Sequence, residues 1–193
     1  YNTVTNELYD GKKGIKIIPC YYKKDYPEWS DRGDGPGAPV AVHLPNSPVI
    51  ATGKRDGSKI RLPNGNYLEE TASYYVMIET KGGGYTPALI TMKSTQLNVS
   101  KKWNSMMKTI QIADGKGGFA IPPMHGVVYN LASTLQKNDK GSWYGWVVTQ
   151  DRILGQEDKA LYLSAKDFSG NVSKGTVQTK GDVEEKASEA TPY

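Results

Sequence analysis

The sequence predicts a strand-rich α+β domain, and three observations lead there. Two stretches alternate in the manner of β-hairpins around glycine-containing turns, a stretch of helical periodicity lies between them, and a second helical stretch follows the last strand. An OB-like barrel is the architecture such a set would form. A single globular domain over residues 1–174 and a disordered, mildly acidic tail over residues 175–193 complete the expected organisation.

Taken in order, Gly14-Ile15-Lys16-Ile17-Ile18-Pro19-Cys20-Tyr21-Tyr22 is a β-branched and aromatic run and reads as a strand. Pro19, which has no N–H to donate, either interrupts it or places it at an edge. Residues 30–37 hold four Gly or Pro in eight positions, so this stretch is expected to be a mobile loop. Short apolar stretches follow around Val40 to Leu44 and Val49 to Ala51, and then a polar segment whose Asn64-Gly65 is a tight-turn signal. Ser73–Glu79 and Tyr85–Met92 flank Lys81-Gly82-Gly83-Gly84 as the first hairpin.

The period then changes. Val99, Trp103, Met106, Met107 and Ile110 fall on one helical face, with Ser94 or Thr95 placed to cap its start, while Lys101, Lys102 and Lys108 lie off that stripe. The second hairpin runs from Gly126–Leu131 to Ser142–Val148 and turns at Asn138-Asp139-Lys140-Gly141. A helix from Gln156 to Phe168 is marked by Leu161, Ala165 and Phe168 behind the acidic opening Glu157-Asp158.

Composition limits the function classes. The 193 residues carry 24 Lys or Arg against 20 Asp or Glu, a net charge of only +4. Removing the tail, with its two lysines, one aspartate and three glutamates, raises the remainder to +6. With 13 Tyr, 4 Trp and 2 Phe, Tyr and Trp must build much of the core. No apolar run is long enough to span a membrane and no signal peptide precedes the first strand, so a soluble protein is expected. Cys20 is alone, which excludes an internal disulfide and a multi-cysteine zinc site and suits a reducing cytosol. The sequons at Asn98 and Asn171 fall in helical segments and read as chance matches.

A search for reaction chemistry returns little. His43 and His125 stand in unrelated contexts, without the spacing of a metal pair. The glycines at 82–84 and 117–118 are not followed by the Gly-Lys-Ser/Thr of a phosphate-binding loop. Asp31, Asp34, Asp56 and Asp114 lie beside glycine, but no twelve-residue calcium loop closes around them. No metal, no cofactor and no catalytic residue is therefore expected.

Aromatic rings interleaved with lysines stand above this background. Tyr21-Tyr22-Lys23-Lys24-Asp25-Tyr26-Pro27-Glu28-Trp29, Lys101-Lys102-Trp103 and Lys140-Gly141-Ser142-Trp143-Tyr144-Gly145-Trp146 each bring the two together. An unpaired nucleic-acid strand offers phosphates to lysine and base faces to rings, a combination tolerant of sequence. Trp103 lies on the apolar stripe of its helix and is expected in the core. Strand alternation pairs Trp143 with Val147 and Tyr144 with Trp146, and whichever pair faces away from the core forms an exposed platform. The residues assigned to nucleic-acid binding are Lys93, Lys101 and Lys102 for phosphate, and Tyr22, Tyr26, Trp29, Tyr144 and Trp146 for stacking.

Ile18–Tyr22, Leu62–Glu69, Ala88–Leu97 with Trp103-Asn104, and Gly141–Trp146 carry a resemblance to a family of tailed-bacteriophage proteins, over roughly residues 15 to 170. The resemblance implies a companion of phage replication and recombination genes, with a single-stranded DNA-binding role. The expected function is accordingly sequence-tolerant binding of single-stranded DNA in the host cytoplasm, without catalysis. Self-association and contact with replication or recombination proteins stay open as partners. The alternative is a non-enzymatic virion or assembly protein that uses the same aromatics as protein interfaces. A thiol enzyme built on Cys20 is the third reading.

Overall fold

The computed structural model describes residues 8–31, 38–139 and 141–177. Its strands are β1 (Ile15–Trp29), β2 (Ala41–His43), β3 (Lys54–Asp56), β4 (Lys59–Arg61), β5 (Tyr67–Glu69), β6 (Thr71–Glu79), β7 (Tyr85–Lys93), β8 (Ile112–Ala113), β9 (Phe119–Ala120), β10 (Val127–Asn138) and β11 (Gly141–Ile153). Three helices join them: α1 (Pro48–Thr52), α2 (Leu97–Thr109) and α3 (Lys159–Ser173). Strands take up 45% and helices 26% of the structure, which makes the fold the strand-rich α+β one expected. The expected loop at 30–37 and tail from 175 lie, for residues 32–37 and 178–193, outside the described residues.

The body is an antiparallel sheet in the order β7-β6-β1-β10-β11, curled as an OB-like half-barrel. Among the described residues β7 and β11 each pair with one strand only, so the curl stays open. Past Asp25, β1 leaves β6 and pairs with β2 and β5, and β5 continues through β4 to β3. Helix α2 covers one face of the sheet, where Trp103 and Met107 meet Ile17, Tyr74, Met92, Tyr129 and Val148. Helix α3 covers the other, where Ala165 meets Ile18, Cys20, Met77 and Val128.

Alternation lets β1 serve both faces, Ile17 on one and Ile18 on the other, and a bulge resets that alternation partway along. Its pairing with β6 shifts register between Pro19 and Tyr21, leaving Cys20 as the extra residue. Ile17 and Tyr22, five residues apart, therefore both join the α2 side. Pro19 is tolerated inside a central strand because pairing with β10 has already ended at Ile17. The interruption read from the sequence is thus present, whereas the strand is no edge and runs seven residues further than expected.

Trp103 is 1% exposed. Its indole stacks on Tyr74 at 4.2 Å between ring centroids and meets Tyr129 edge-on at 5.6 Å. The Tyr74 hydroxyl donates to the Ser100 carbonyl at 3.1 Å and lies 2.7 Å from the Ser100 hydroxyl, fixing the first turns of α2 to β6. The expected cap is absent. Ser94-Thr95-Gln96 instead form a 3₁₀ turn that leads into α2, with Ser94 in the left-handed region at φ 52°. The helix at 156 likewise opens with a 3₁₀ turn, and Asp158 there grips Arg152 and the Gly155 N–H. Asn98 and Asn171 do fall on helices.

The smaller sheet is tied down by Glu28, which is buried. One carboxylate oxygen lies 2.7 Å from His43 Nε2, and the other accepts from Asn64 Nδ2 at 3.1 Å and Asn66 Nδ2 at 2.6 Å. These contacts join β1 to β2 and to the Asn64-Gly65 turn, which does form, as its sequence signalled. The donors from Asn66, His43 and Asn64 hold the Glu28 carboxyl below its ordinary pKa.

Two outcomes are expected. Trp103→Ala should cost about 3 to 5 kcal/mol in urea unfolding, the range for removing a large buried ring, and an unchanged midpoint would contradict the packing described. Because the Glu28 pKa is lowered on folding, its stabilisation is complete above the ordinary value of 4.5 and is lost as pH falls through the lower folded value. Glu28→Gln should therefore be less stable by about 2 kcal/mol at neutral pH and lose less than the parent chain between pH 5 and 3. Parallel acid curves for the two proteins would show that Glu28 is not the group involved.

Candidate nucleic-acid interface

The β10–β11 hairpin pairs Leu131 with Val148, Ser133 with Trp146, Leu135 with Tyr144 and Lys137 with Ser142. Directly paired residues share a face of the sheet. Leu131 and Val148 belong to the core beneath α2, so Trp146, Tyr144, Leu135 and Lys137 continue that same face outward, past the end of the core. Tyr144 is 68% exposed, Leu135 61% and Trp146 38%. The expected pairing of Tyr144 with Trp146 on one exposed face is present, although it is the core-side face of the strand. Trp143 takes the opposite face beside Gln136 and is half-buried, and the side chain of Gln136 also fills the space over Gly145.

The backbone next to this platform is held in place. Trp146 N–H donates to Gln96 Oε1 at 3.1 Å, which ties the free edge of β11 to the residue just before α2. Gln96 is thereby used on the hairpin, and no side chain caps α2, whose first turn contains no acid. The positive end of the helix dipole thus lies beside the platform. Lys101, Lys102 and Lys108 are exposed on the outer surface of α2, and no ion pair engages them among the described residues.

Other residues assigned to binding lie elsewhere. Tyr26 is 8% exposed and packs with Ile60, Leu62 and Leu68, so its ring presents no face to a base and the stacking role expected of it is corrected. Tyr22 is half-buried against Tyr74, at 4.9 Å between centroids. Trp29 is also half-buried, with its indole nitrogen enclosed. In a chain short of Phe, these rings of β1 are used as packing. Lys93 follows Met92, which faces the α2 core, and so projects from the other side of β7, where it pairs with Glu69 at 2.9 Å. It is not brought together with Lys101 and Lys102.

Leu135 and Lys137 are additions that the sequence reading missed. A signal for them existed: with Asn138 paired to Gly141 across a two-residue loop, counting back places 137 opposite 142 and 135 opposite 144. A second aromatic and basic set, Lys59 over Tyr67 at 3.6 Å with Arg61 nearby, is internally satisfied, since Arg61 is paired with Asp31 and Asp56.

Reactive groups are placed as structural ones. Burial pushes the Cys20 thiol up to about 12, leaving it neutral at ordinary pH. His125 packs against Tyr162, and burial lowers its pKa. The Asp114 carboxylate accepts from the N–H groups of Lys116 and Gly118, closing the β8–β9 turn upon itself. Among the described residues no three His, Cys, Asp or Glu side chains are placed to hold a metal ion, and no helix is long and apolar enough to cross a membrane.

Among known protein families, the one described as Pam3 phage gp34-like protein matches the chain over residues 1–178. No curated protein and no solved structure matches it.

Proposed function

The chain belongs to the Pam3 phage gp34-like protein family, and from that premise we propose that it binds single-stranded DNA with tolerance of sequence, without catalysis, during phage replication or recombination. The observation that carries this reading is the platform of Tyr144 and Trp146, exposed on one face of a hairpin beside a helix whose outer surface is basic and unpaired. The rings of Tyr144 and Trp146 stand outside at the end of the core, open to bases that stack on them. Lys137 stands on the same face, and Lys101 and Lys102 with the uncapped start of α2 offer positive charge to phosphates alongside. Tyr22 and Trp29, half-buried, and Lys93, on the far side of β7, are at most peripheral to this surface.

A different set of observations favours the second reading, a virion or assembly protein. Val40, Val42 and Leu44 in and beside β2, and Phe119 in β9 with Ile121 just past it, are apolar and exposed, as side chains awaiting a protein partner would be. That reading predicts stable assemblies in sedimentation that are indifferent to added DNA.

Tryptophan emission during titration with an unlabelled oligothymidine, at low and then moderate salt, tests the first reading. Quenching should be reversed by salt and should be weaker with duplex DNA at equal phosphate. Tyr144→Ala and Trp146→Ala should each weaken binding by about 1 to 3 kcal/mol, and removing Lys101 and Lys102 together should flatten the salt dependence by a slope of about 1.4. No quenching and no co-elution at low salt would end the proposal, as would affinity that survives both ring substitutions.

A further inference from the structure

We infer that the Tyr144 end of the platform gives otherwise sequence-tolerant binding a mild preference for thymine, because Leu135 is placed to meet the 5-methyl group of a base stacked on the tyrosine ring. The inference rests on the single-strand reading above and adds to it a base preference and the residue responsible.

The spacing of the rings comes first. Tyr144 and Trp146 are two residues apart on one strand, about 6.8 Å, whereas stacked bases follow one another at about 3.4 Å. Neighbouring bases cannot remain stacked on each other while both rings are occupied, unless one is skipped. A strand that seats two consecutive bases on the rings is therefore extended between them, and in either arrangement each seated base lies on its own ring with an edge toward whatever stands across the hairpin.

What stands there differs between the two rings. Ser133 is opposite Trp146 and Leu135 is opposite Tyr144. The Trp146 N–H is directed outward to Gln96 rather than across to β10, so Ser133 and Trp146 form a non-hydrogen-bonded pair. Two residues further along, Leu135 and Tyr144 are a pair of the same kind. Such pairs have the closer side chains, with Cα atoms about 4.5 Å apart. Leu135, 61% exposed, thus forms an apolar wall beside an open ring. A pyrimidine methyl fills that corner, whereas the bare edge of uracil leaves Leu135 wet.

The test compares deoxyoligomers of about eight nucleotides, within the range of a single site, made of thymidine or of deoxyuridine, which differ in that methyl alone. Titrated against the full chain at one low salt concentration, oligothymidine should bind about three- to fourfold more tightly, the worth of one buried methyl. Leu135→Ser should make the two oligomers equal while both still quench, with an unchanged urea midpoint, and Leu135→Met should keep the preference. Equal binding by the parent chain, or a preference that persists in Leu135→Ser, would overturn the inference and leave single-strand binding standing. If neither oligomer binds, the functional reading fails and the inference falls with it.

Discussion

The stack of Trp103 on Tyr74, closed from the side by Tyr129, is the contact on which the rest of the structure depends. It joins α2 to β6 and to β10 at once, and the Tyr74 hydroxyl fixes the height of the helix through Ser100. Two consequences follow from that placement. The basic surface of α2 is turned away from the sheet, and the residue before the helix reaches the free edge of β11. The core beneath α2 reaches along the hairpin as far as Leu131 and Val148, and Ser133–Trp146 and Leu135–Tyr144 follow beyond that pair. The platform is the core-side face of this outer part.

How far the sequence could be read follows from where its patterns were local. The β6–β7 hairpin and the α2 stripe were legible because alternation, glycine turn and helical period are written in adjacent residues. The strands β3 and β4 were not, because Lys54-Arg55-Asp56 and Lys59-Ile60-Arg61 are nearly all polar in so short a pair, and Ile60 alone turns inward. The sequence pattern marks β1 only to Tyr22, where charged residues begin. Lys23-Lys24-Asp25 looked like a solvated run, yet Asp25 is buried and Lys24 is paired with Glu70.

The candidate interface divides in the same way. That Tyr144 and Trp146 share a face follows from period two, and the structure agrees. Which face, and why it is open, depends on where the core beneath α2 ends along the hairpin, at Leu131 and Val148, which no window of sequence contains. The rings of β1 look equally promising beside their lysines, but composition argued the other way: with so little Phe, some tyrosines had to fill the interior, and Tyr22 and Tyr26 are among them. Glu28, His43, Asn64 and Asn66 come from separate segments, so their convergence was invisible until the chain was folded.

The central position of β1 has a consequence for synthesis. β1 leaves the ribosome ahead of β6 and β10, and its pairing with β6 can form once some 60 further residues have followed, yet its other edge waits for β10, since Ile17 is matched with Tyr129. At ordinary elongation rates that interval is on the order of ten seconds. During it the backbone N–H and C=O groups at Ile15 to Ile17 form an open edge on an apolar strand, a window in which a nascent chain can pair with the wrong strand. The exposure lies in the order of translation, and in the finished molecule the edge is closed.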